Sequence, residues 1–537
     1  MGTRFLRYYR ENIKKRWKIA FWSTLVIGVI VHLFKFVNVL PNGDALMNFY
    51  NSQNMVASGR WLLGVACELG SRFDLPWVNG LLSLFFAGLA AAVVSEHFRM
   101  ENPCLIVLSS GLLISFPAMT FTFAYEYTAD GYMIAMLLAA VGALLTRVEN
   151  IRRERWKQLA LGSACICLAC GIYQAYVSFA FALAVCDAIL ELLEGKHSVK
   201  KILTWLGIEL LIYGAALVVY YGIWKLCLFV QGVQVTPYHG IDSAGQMSAG
   251  ALGMAVYKIV RDCFVFFFQW NPFVYGVTAY SVLNFIFLIA LAGGIGYAAW
   301  KGGALKSKAR VALIVLCIVS LPFGCFIWHF LSSDVFYHGV MLQSLSILYI
   351  FMAVLYERWV SVRKADLAMV LLSAIIFNNS VSANIFYNHL HMIYERTYAT
   401  VTEMSTRVHL LDDGTVRNIA ICGKPAVWEE AEVVDPAVLR RIGGSCFLAK
   451  DLTSYQFMML YTDFDLAYYR ISGEEHPVME LYEDAPVPFD HQFHFPSLPI
   501  AEKEALEGTE EFAQMPVWPA EGSVRRIGDT IVVKLSQ

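Results

Sequence analysis

Apolar runs long enough to cross a hydrocarbon core dominate the chain to about residue 384, and short alternating runs replace them beyond it. A membrane-crossing helix needs about 20 predominantly apolar residues. Eleven segments meet that requirement, near 17–36, 75–95, 103–122, 131–147, 158–173, 175–193, 203–229, 279–299, 311–331, 338–356 and 366–384. The fifth and sixth form one apolar stretch with Gly171-Ile172-Tyr173-Gln174-Ala175-Tyr176 in its middle. Basic residues flank both ends of that stretch, so it reads as a short hairpin rather than one helix. From 385 onward charges become dense. Short β-patterned runs then lie between Gly and Pro turns: "VRNIAICG" (416–423), "SCFLAKD" (445–451), "LAYYRISG" (466–473) and "DTIVVKL" (529–535). With helical stretches such as 385–411 between them, they predict a small α/β domain.

The expected architecture is a polytopic α-helical membrane protein of about eleven spans. Residues 1–384 form the membrane domain, with interfacial loop helices in 37–74 and 230–278, and residues 385–537 form an extracytoplasmic α/β domain. Lysine and arginine orient it. Residues 1–18 carry seven, and the loops at 147–157, 194–201, 301–310 and 356–364 carry five, three, four and three. The loops between these are nearly free of basic residues, so the N-terminus is expected inside and, after eleven spans, the C-terminus outside.

Composition agrees with this pattern. The chain is 58% hydrophobic and 16% charged, against about 25% charge in a soluble protein. The basic N-terminal residues and the apolar run after them lack a small-residue cleavage site, so they read as an uncleaved first span. No glycine-rich phosphate loop is present, which argues against ATP as donor or energy source. The net charge of −2 is uninformative about partners. Among the twelve cysteines, Cys165, Cys167 and Cys170 sit in an apolar helix and read as small-residue packing rather than metal ligands. Cys422 and Cys446 lie in the polar C-terminal part, and spacing leaves open whether they pair.

Candidate chemistry gathers in the loops expected outside. Pro41-Asn42-Gly43 is a turn signal, and Asp44 follows where a helix N-cap would stand. Beyond it Asp44, Asn48, Asn51 and Met55 would share one helical face, with Gly59 a plausible bend before Arg60 and Trp61. Asp44 as a plain cap and Asp44 as a reactive carboxylate both fit. In "YEYTAD" Glu126 and Asp130 stand at i, i+4 beside four aromatics. The alternatives there are substrate contacts, or Asp130 as a helix cap with Glu126 solvated. Tyr173 and Gln174 mark the hairpin turn, the tyrosine fitting an interfacial belt equally well. Lys258 and Arg261, one turn apart, are among the few external cations, as is Arg60. His329, Asp334 and His338 have metal-binding side chains at loose spacing.

Several stretches resemble the Gtr-II-like membrane glycosyltransferases, the bacterial O-antigen-type glucosyltransferases with the GT-C fold. They are "GDALMN" (43–48), "GRWL" (59–62), "FPAMTFTFAYEYTADGYMIAMLLA" (116–139), "GIYQAY" (171–176) and "GSVRRIGDTIVVKL" (522–535). Family sequences often show paired acids in the first external loop; here Asp44 stands alone. The resemblance implies an inverting hexosyltransferase, glucose being the expected sugar, that works on the outer face of a bacterial inner or plasma membrane. The donor would be a polyprenyl-phosphate sugar and the acceptor a cell-surface glycan or lipid-linked molecule. Asp44 would be the general base. Arg60, Lys258 and Arg261 would face the leaving phosphate. Glu126, Asp130 and Gln174 would hold sugar hydroxyls, with Asn48, Trp61 and Tyr173 lining the site. No cofactor is expected, a divalent metal being a minor alternative, and no nucleic acid partner. Membrane lipids, a sugar-lipid flippase and a cytoplasmic-side enzyme that makes the polyprenyl-phosphate sugar are the implied partners. Two rivals share the composition: a transporter or flippase of lipid-linked sugars, and a non-catalytic scaffold.

Overall fold

The computed structural model describes residues 11–41, 45, 52–71, 74–236, 248–268, 278–332, 335, 337–360, 362–416, 418–423 and 500–536. The chain divides into two compact units, one of residues 1–37, 52–385 and 436–449 and the other of residues 38–51, 386–435 and 450–537.

Among its described residues the first unit is built mainly of helices. Its helices are α1 (Lys15–Val37), α2 (Pro76–His97), α3 (Pro103–Ser115), α4 (Pro117–Ala124), α5 (Glu126–Thr146), α6 (Trp156–Ile172), α7 (Tyr176–Glu194), α8 (Val199–Gln231), α9 (Ala249–Phe268), α10 (Ala279–Lys301), α11 (Lys308–Cys325) and α12 (Ser346–Trp359). The last helix, α13 (Val362–Leu411), continues from the first unit's residues into the second's. Among the described residues nine helical segments are long and apolar enough to cross a membrane, and ten if α3 and α4 form one bent span. The remaining expected segment is α6, with 17 residues, about 25 Å at 1.5 Å per residue. The protein is a polytopic helical membrane protein.

Local chemistry accounts for the breaks. The α3–α4 bend of 45° falls at Phe116, which is extended (ψ 142°) because it precedes Pro117. The hairpin expected at 171–176 forms where Tyr173 leaves the helix as extended backbone, at φ −154° and ψ 114°. Asn102 caps α3, its side chain accepting from the amides of Cys104 and Leu105, with Pro103 in the first turn. Burial separates centre from periphery. Of the most apolar window, 89% is buried in both α7 and Gly339–Trp359, but only 22% in α8. The exposed α8 side chains include Leu210, Leu211, Val218, Phe229 and Val230, an apolar face suited to lipid.

Among its described residues the second unit carries three strands, β1 (Asn418–Cys422), β2 (Val524–Ile527) and β3 (Thr530–Lys534), in the order β1-β3-β2. β2 and β3 are antiparallel, with Ile527 opposite Thr530 across the two-residue turn Gly528-Asp529. Gly528 takes φ +64° there, the backbone such a hairpin turn demands. β1 joins β3 in parallel, Asn418 opposite Thr530. Ala420, Cys422 and Val532 pack with Phe512 and Met515 beneath the sheet. Two of the four expected strand runs are thus found, and β2 is additional. The runs at 445–451 and 466–473, with Cys446, lie outside the described residues. The carboxyl of Asp413 is held down to about 2 by hydrogen bonds from Thr415 and Arg526.

Candidate functional site

Asp44 and Asn48 lie outside the described residues, as does Asn51. The chain that follows does not continue as the amphipathic helix expected through Met55. Residues 55–60 fold back on themselves: a short turn of helix at Val56–Ser58, then Gly59 at φ +85° and ψ 2°. Met55 pairs with Arg60 as a two-residue β-bridge, the Arg60 amide donating to Met55 O at 3.1 Å. The bend expected at Gly59 is present, and it needs glycine because the left-handed region strains any residue with a Cβ.

This loop is tied to α6, to α8 and to the turn between α6 and α7. The Gln174 side-chain amide donates to Ser58 O at 2.7 Å and to the Tyr220 hydroxyl at 3.0 Å. Tyr220 in turn donates to Gly59 O at 3.1 Å, and the Trp224 indole donates to Val56 O at 2.7 Å. Leu62 N donates to Gly171 O at 2.8 Å. Gly171 is required by this close approach, since a Cβ there would lie 2.5 Å from the Trp61 ring. The order Gly59-Arg60-Trp61 therefore has a physical meaning: turn, cation, then a ring seated on the α6–α7 hairpin.

Arg60 is thereby aimed at a tyrosine pair. Tyr132 of α5 and Tyr173 stack at 4.5 Å with an interplanar angle of 14°. The Arg60 guanidinium lies 4.8 Å from the Tyr173 ring centroid, and its Nη1 is 3.4 Å from the Tyr132 hydroxyl. A cation over an aromatic face is attracted by the ring quadrupole. Arg60, Trp61, Tyr173 and Gln174, expected from separate parts of the sequence, share this one assembly.

Glu126 and Asp130 lie in the first turns of α5, one turn apart. Both are buried, at 1% relative exposure. Lys35 at the end of α1 reaches Glu126 Oε2 at 2.7 Å. The other oxygen, Oε1, is buried with no hydrogen-bond partner. Asp130 Oδ1 accepts from Gly131 N at 2.8 Å, while Oδ2 is buried with no hydrogen-bond partner. The backbone at Gly70 comes so near that a Cβ would sit 2.6 Å from Asp130 Oδ2 and 2.7 Å from Asn79 Oδ1. Asp130 also acts on Cys67, whose thiol is pushed well up, first by burial and then by that carboxyl. The alternative of Asp130 as a helix cap fails because α5 starts four residues earlier. The alternative of a solvated Glu126 fails on its burial.

A second polar group lies on α9 and beyond α11. Lys258 and Arg261 are one turn apart, as expected. Arg261 pairs with Asp262, at 2.7 Å from Nη2 to Oδ1, and Asp262 Oδ2 is 2.9 Å from His329 Nε2. His338 instead faces Tyr125, 3.2 Å away. The two histidines have different partners, and Asp334 lies outside the described residues. Among the described residues no group of three or more His, Cys, Asp or Glu is placed to hold a metal. The Tyr337 hydroxyl is pushed well above its usual range, chiefly by burial, and it feels both Asp262 and Tyr173.

Lys35, Tyr132, Tyr220 and Asp262 had no assigned role in the sequence reading. Their one available signal is a lone polar atom in an apolar run, and it does not say which partner the atom meets.

The family model of glucosyl transferase GtrII matches residues 33–377. The chain belongs to the GtrII glucosyl transferase family. No curated protein and no solved structure gives a match. The GtrII match begins just before Lys35, contains every candidate residue named above, and ends before the strands. What the family membership carries is glucosyl transfer by a membrane protein.

Because the GtrII region includes the Gly59 turn, that turn supplies a direct test of the assembly. A Cβ at Gly59 would lie 2.4 Å from Gln174 Nε2 and 2.5 Å from the Tyr220 hydroxyl. Gly59→Ala should cost about 1–2 kcal/mol for the backbone alone, with the steric conflict added. The expected readout is a lower thermal midpoint and faster proteolysis within 52–71. Tyr220→Phe, which removes hydrogen bonds without a clash, should cost about 1 kcal/mol. An unchanged midpoint in Gly59→Ala would mean that the loop is not held in this way.

Proposed function

We propose that the protein is an inverting GT-C-type glucosyltransferase. It takes glucose from a polyprenyl-phosphate carrier and passes it to a cell-surface glycan or lipid-linked acceptor at the outer face of a bacterial inner or plasma membrane. The observation that carries this reading is the family match over a membrane body that holds Arg60 on a tyrosine stack and buries two carboxylates, Glu126 and Asp130.

The reaction needs three things of the protein. The acceptor hydroxyl must lose its proton as its oxygen bonds to the anomeric carbon, and Asp44 is the proposed base. A positioned carboxylate contributes about 10²–10⁴-fold in this way. The bond from the anomeric carbon to phosphate oxygen breaks, and the departing polyprenyl phosphate gains charge. Arg60, Lys258 and Arg261 are proposed to oppose it. The sugar must be held, and Glu126 and Asp130 each offer a buried oxygen with no hydrogen-bond partner. The Gln174 amide nitrogen already serves the 52–71 loop, so its carbonyl oxygen is the atom left for a hydroxyl. Trp61 and Tyr173 supply ring faces, and Asn48 completes the proposed set. No cofactor is needed for these steps.

Two experiments test the reading. Purified protein given polyprenyl-phosphate glucose and surface glycan should transfer labelled glucose, whereas a transporter or scaffold would yield none. Reporter fusions at Asn150, Lys196 and Ala304 should report cytoplasm, and one at Glu510 the exterior. A cytoplasmic signal at Glu510 would put the span count wrong by an odd number.

A further inference from the structure

Arg261 and Asp262 are consecutive on α9, and residues one apart on a helix do not face each other. They are nevertheless bonded, with Nε and Nη2 of Arg261 at 2.8 and 2.7 Å from Asp262 Oδ1. The second carboxylate oxygen is held from the opposite side by His329 Nε2 at 2.9 Å. His329 is itself seated: its ring packs 4.8 Å from Tyr337, whose hydroxyl accepts from Trp328 N at 2.9 Å. Asp262 is thus clamped on both oxygens. The exposures are graded along the chain of contacts, with side chains 2% exposed at His329, 9% at Asp262 and 49% at Arg261.

The geometry of the arginine fork decides what this does. A guanidinium has five N–H donors in a rigid plane. Asp262 occupies the Nε/Nη2 edge. The Nη1/Nη2 edge remains, with its parallel N–H pair on a half-exposed group. Such a pair can bind phosphate in a bidentate manner. A guanidinium already locked in its plane loses less freedom on binding than a loose one. Lys258, one turn earlier on the same helix, adds positive charge.

We propose that Asp262 and His329 are positioning residues that hold Arg261 as a preformed clamp for the phosphate of the lipid-linked donor. The proposal rests on the lipid-phosphate donor reading and adds the residues that build its phosphate site. Asp262 touches no reacting atom in it. Its carboxylate fixes the plane of Arg261, and His329 fixes the carboxylate.

The test compares equilibrium binding of a short-chain polyprenyl phosphate with that of its uncharged alcohol to the full-length protein. Binding does not depend on turnover, and a thermal midpoint monitors the fold. Wild type should prefer the phosphate. Arg261→Ala should lose about tenfold or more of that preference. Asp262→Asn and His329→Gln should lose a comparable share while Arg261 is intact, and should raise the donor KM more than they lower kcat. Arg261→Lys, which keeps the charge but not the fork, should recover only part. If Asp262→Asn and His329→Gln left the preference within about twofold of wild type, the contacts would be a structural tie and the proposal would fall. A variant that does not fold is replaced by the other, since either suffices. Unchanged preference in Arg261→Ala, with donor still consumed, would place the phosphate elsewhere and leave the donor reading standing. A wild-type protein that never consumes polyprenyl-phosphate glucose would overturn that reading, and this proposal with it.

Discussion

Asp44→Asn is expected to lower glucosyl transfer by at least about 10²-fold, with expression and thermal midpoint little changed. Asn keeps the size of the side chain and much of its ability to cap a helix, but it cannot accept the proton of the acceptor hydroxyl. Asp44 is the first acid after α1, seven residues beyond Val37. Between the two lies Pro41-Asn42-Gly43, a sequence that favours a turn. Asp44→Glu should retain part of the activity, since a carboxylate remains. The measurement is single-turnover transfer with saturating donor and acceptor. Near wild-type transfer in Asp44→Asn would make the carboxylate a cap and move the search for the base to Glu126 or Asp130.

Lys35→Met should be the most destabilising single change among those considered, because it leaves the Glu126 carboxylate buried without its cation. Both side chains of that pair are at most 2% exposed. Removing one partner of a buried pair costs about 3–5 kcal/mol, whereas replacing both with well-packed apolar groups is often neutral. Lys35→Met should therefore lower the thermal midpoint and the yield of folded protein in detergent. The double variant Lys35→Met, Glu126→Met should recover most of that loss. The double variant also separates two roles of Glu126. If Glu126 contacts substrate as proposed, the recovered protein is stable and impaired in donor binding. If it regains wild-type KM and kcat, Glu126 serves only to join α1 to α5.

Those two residues show where sequence reading stops. Glu126 and Asp130 were legible as a pair because helical spacing is a local property. Their surroundings were not, since Lys35 is 91 positions from Glu126 and nothing local links them. Gln174 was conspicuous as an amide in an apolar hairpin. That its nitrogen is spent on Ser58 and Tyr220 depends on a loop 116 positions away. Periodicity puts Met55 on a helical face, yet it ends in a β-bridge with Arg60. The Gly59 turn and the Trp224 anchor on Val56 override the weak helical preference of so short a segment.

The class of the protein and most of its described helices can be read from the order of residues. Hydrocarbon has no hydrogen bonds to offer, so each crossing must satisfy its backbone within about 20 apolar residues, and that requirement is written in one dimension. Tertiary structure alone decided which polar atoms face each other: Lys35 with Glu126, Arg60 over Tyr173, and His329 on Asp262 across 67 positions. Each of these groups sits among apolar neighbours where an unpaired charge or donor is costly. That cost favours pairing wherever a partner comes within reach, and packing of the helices chooses which one.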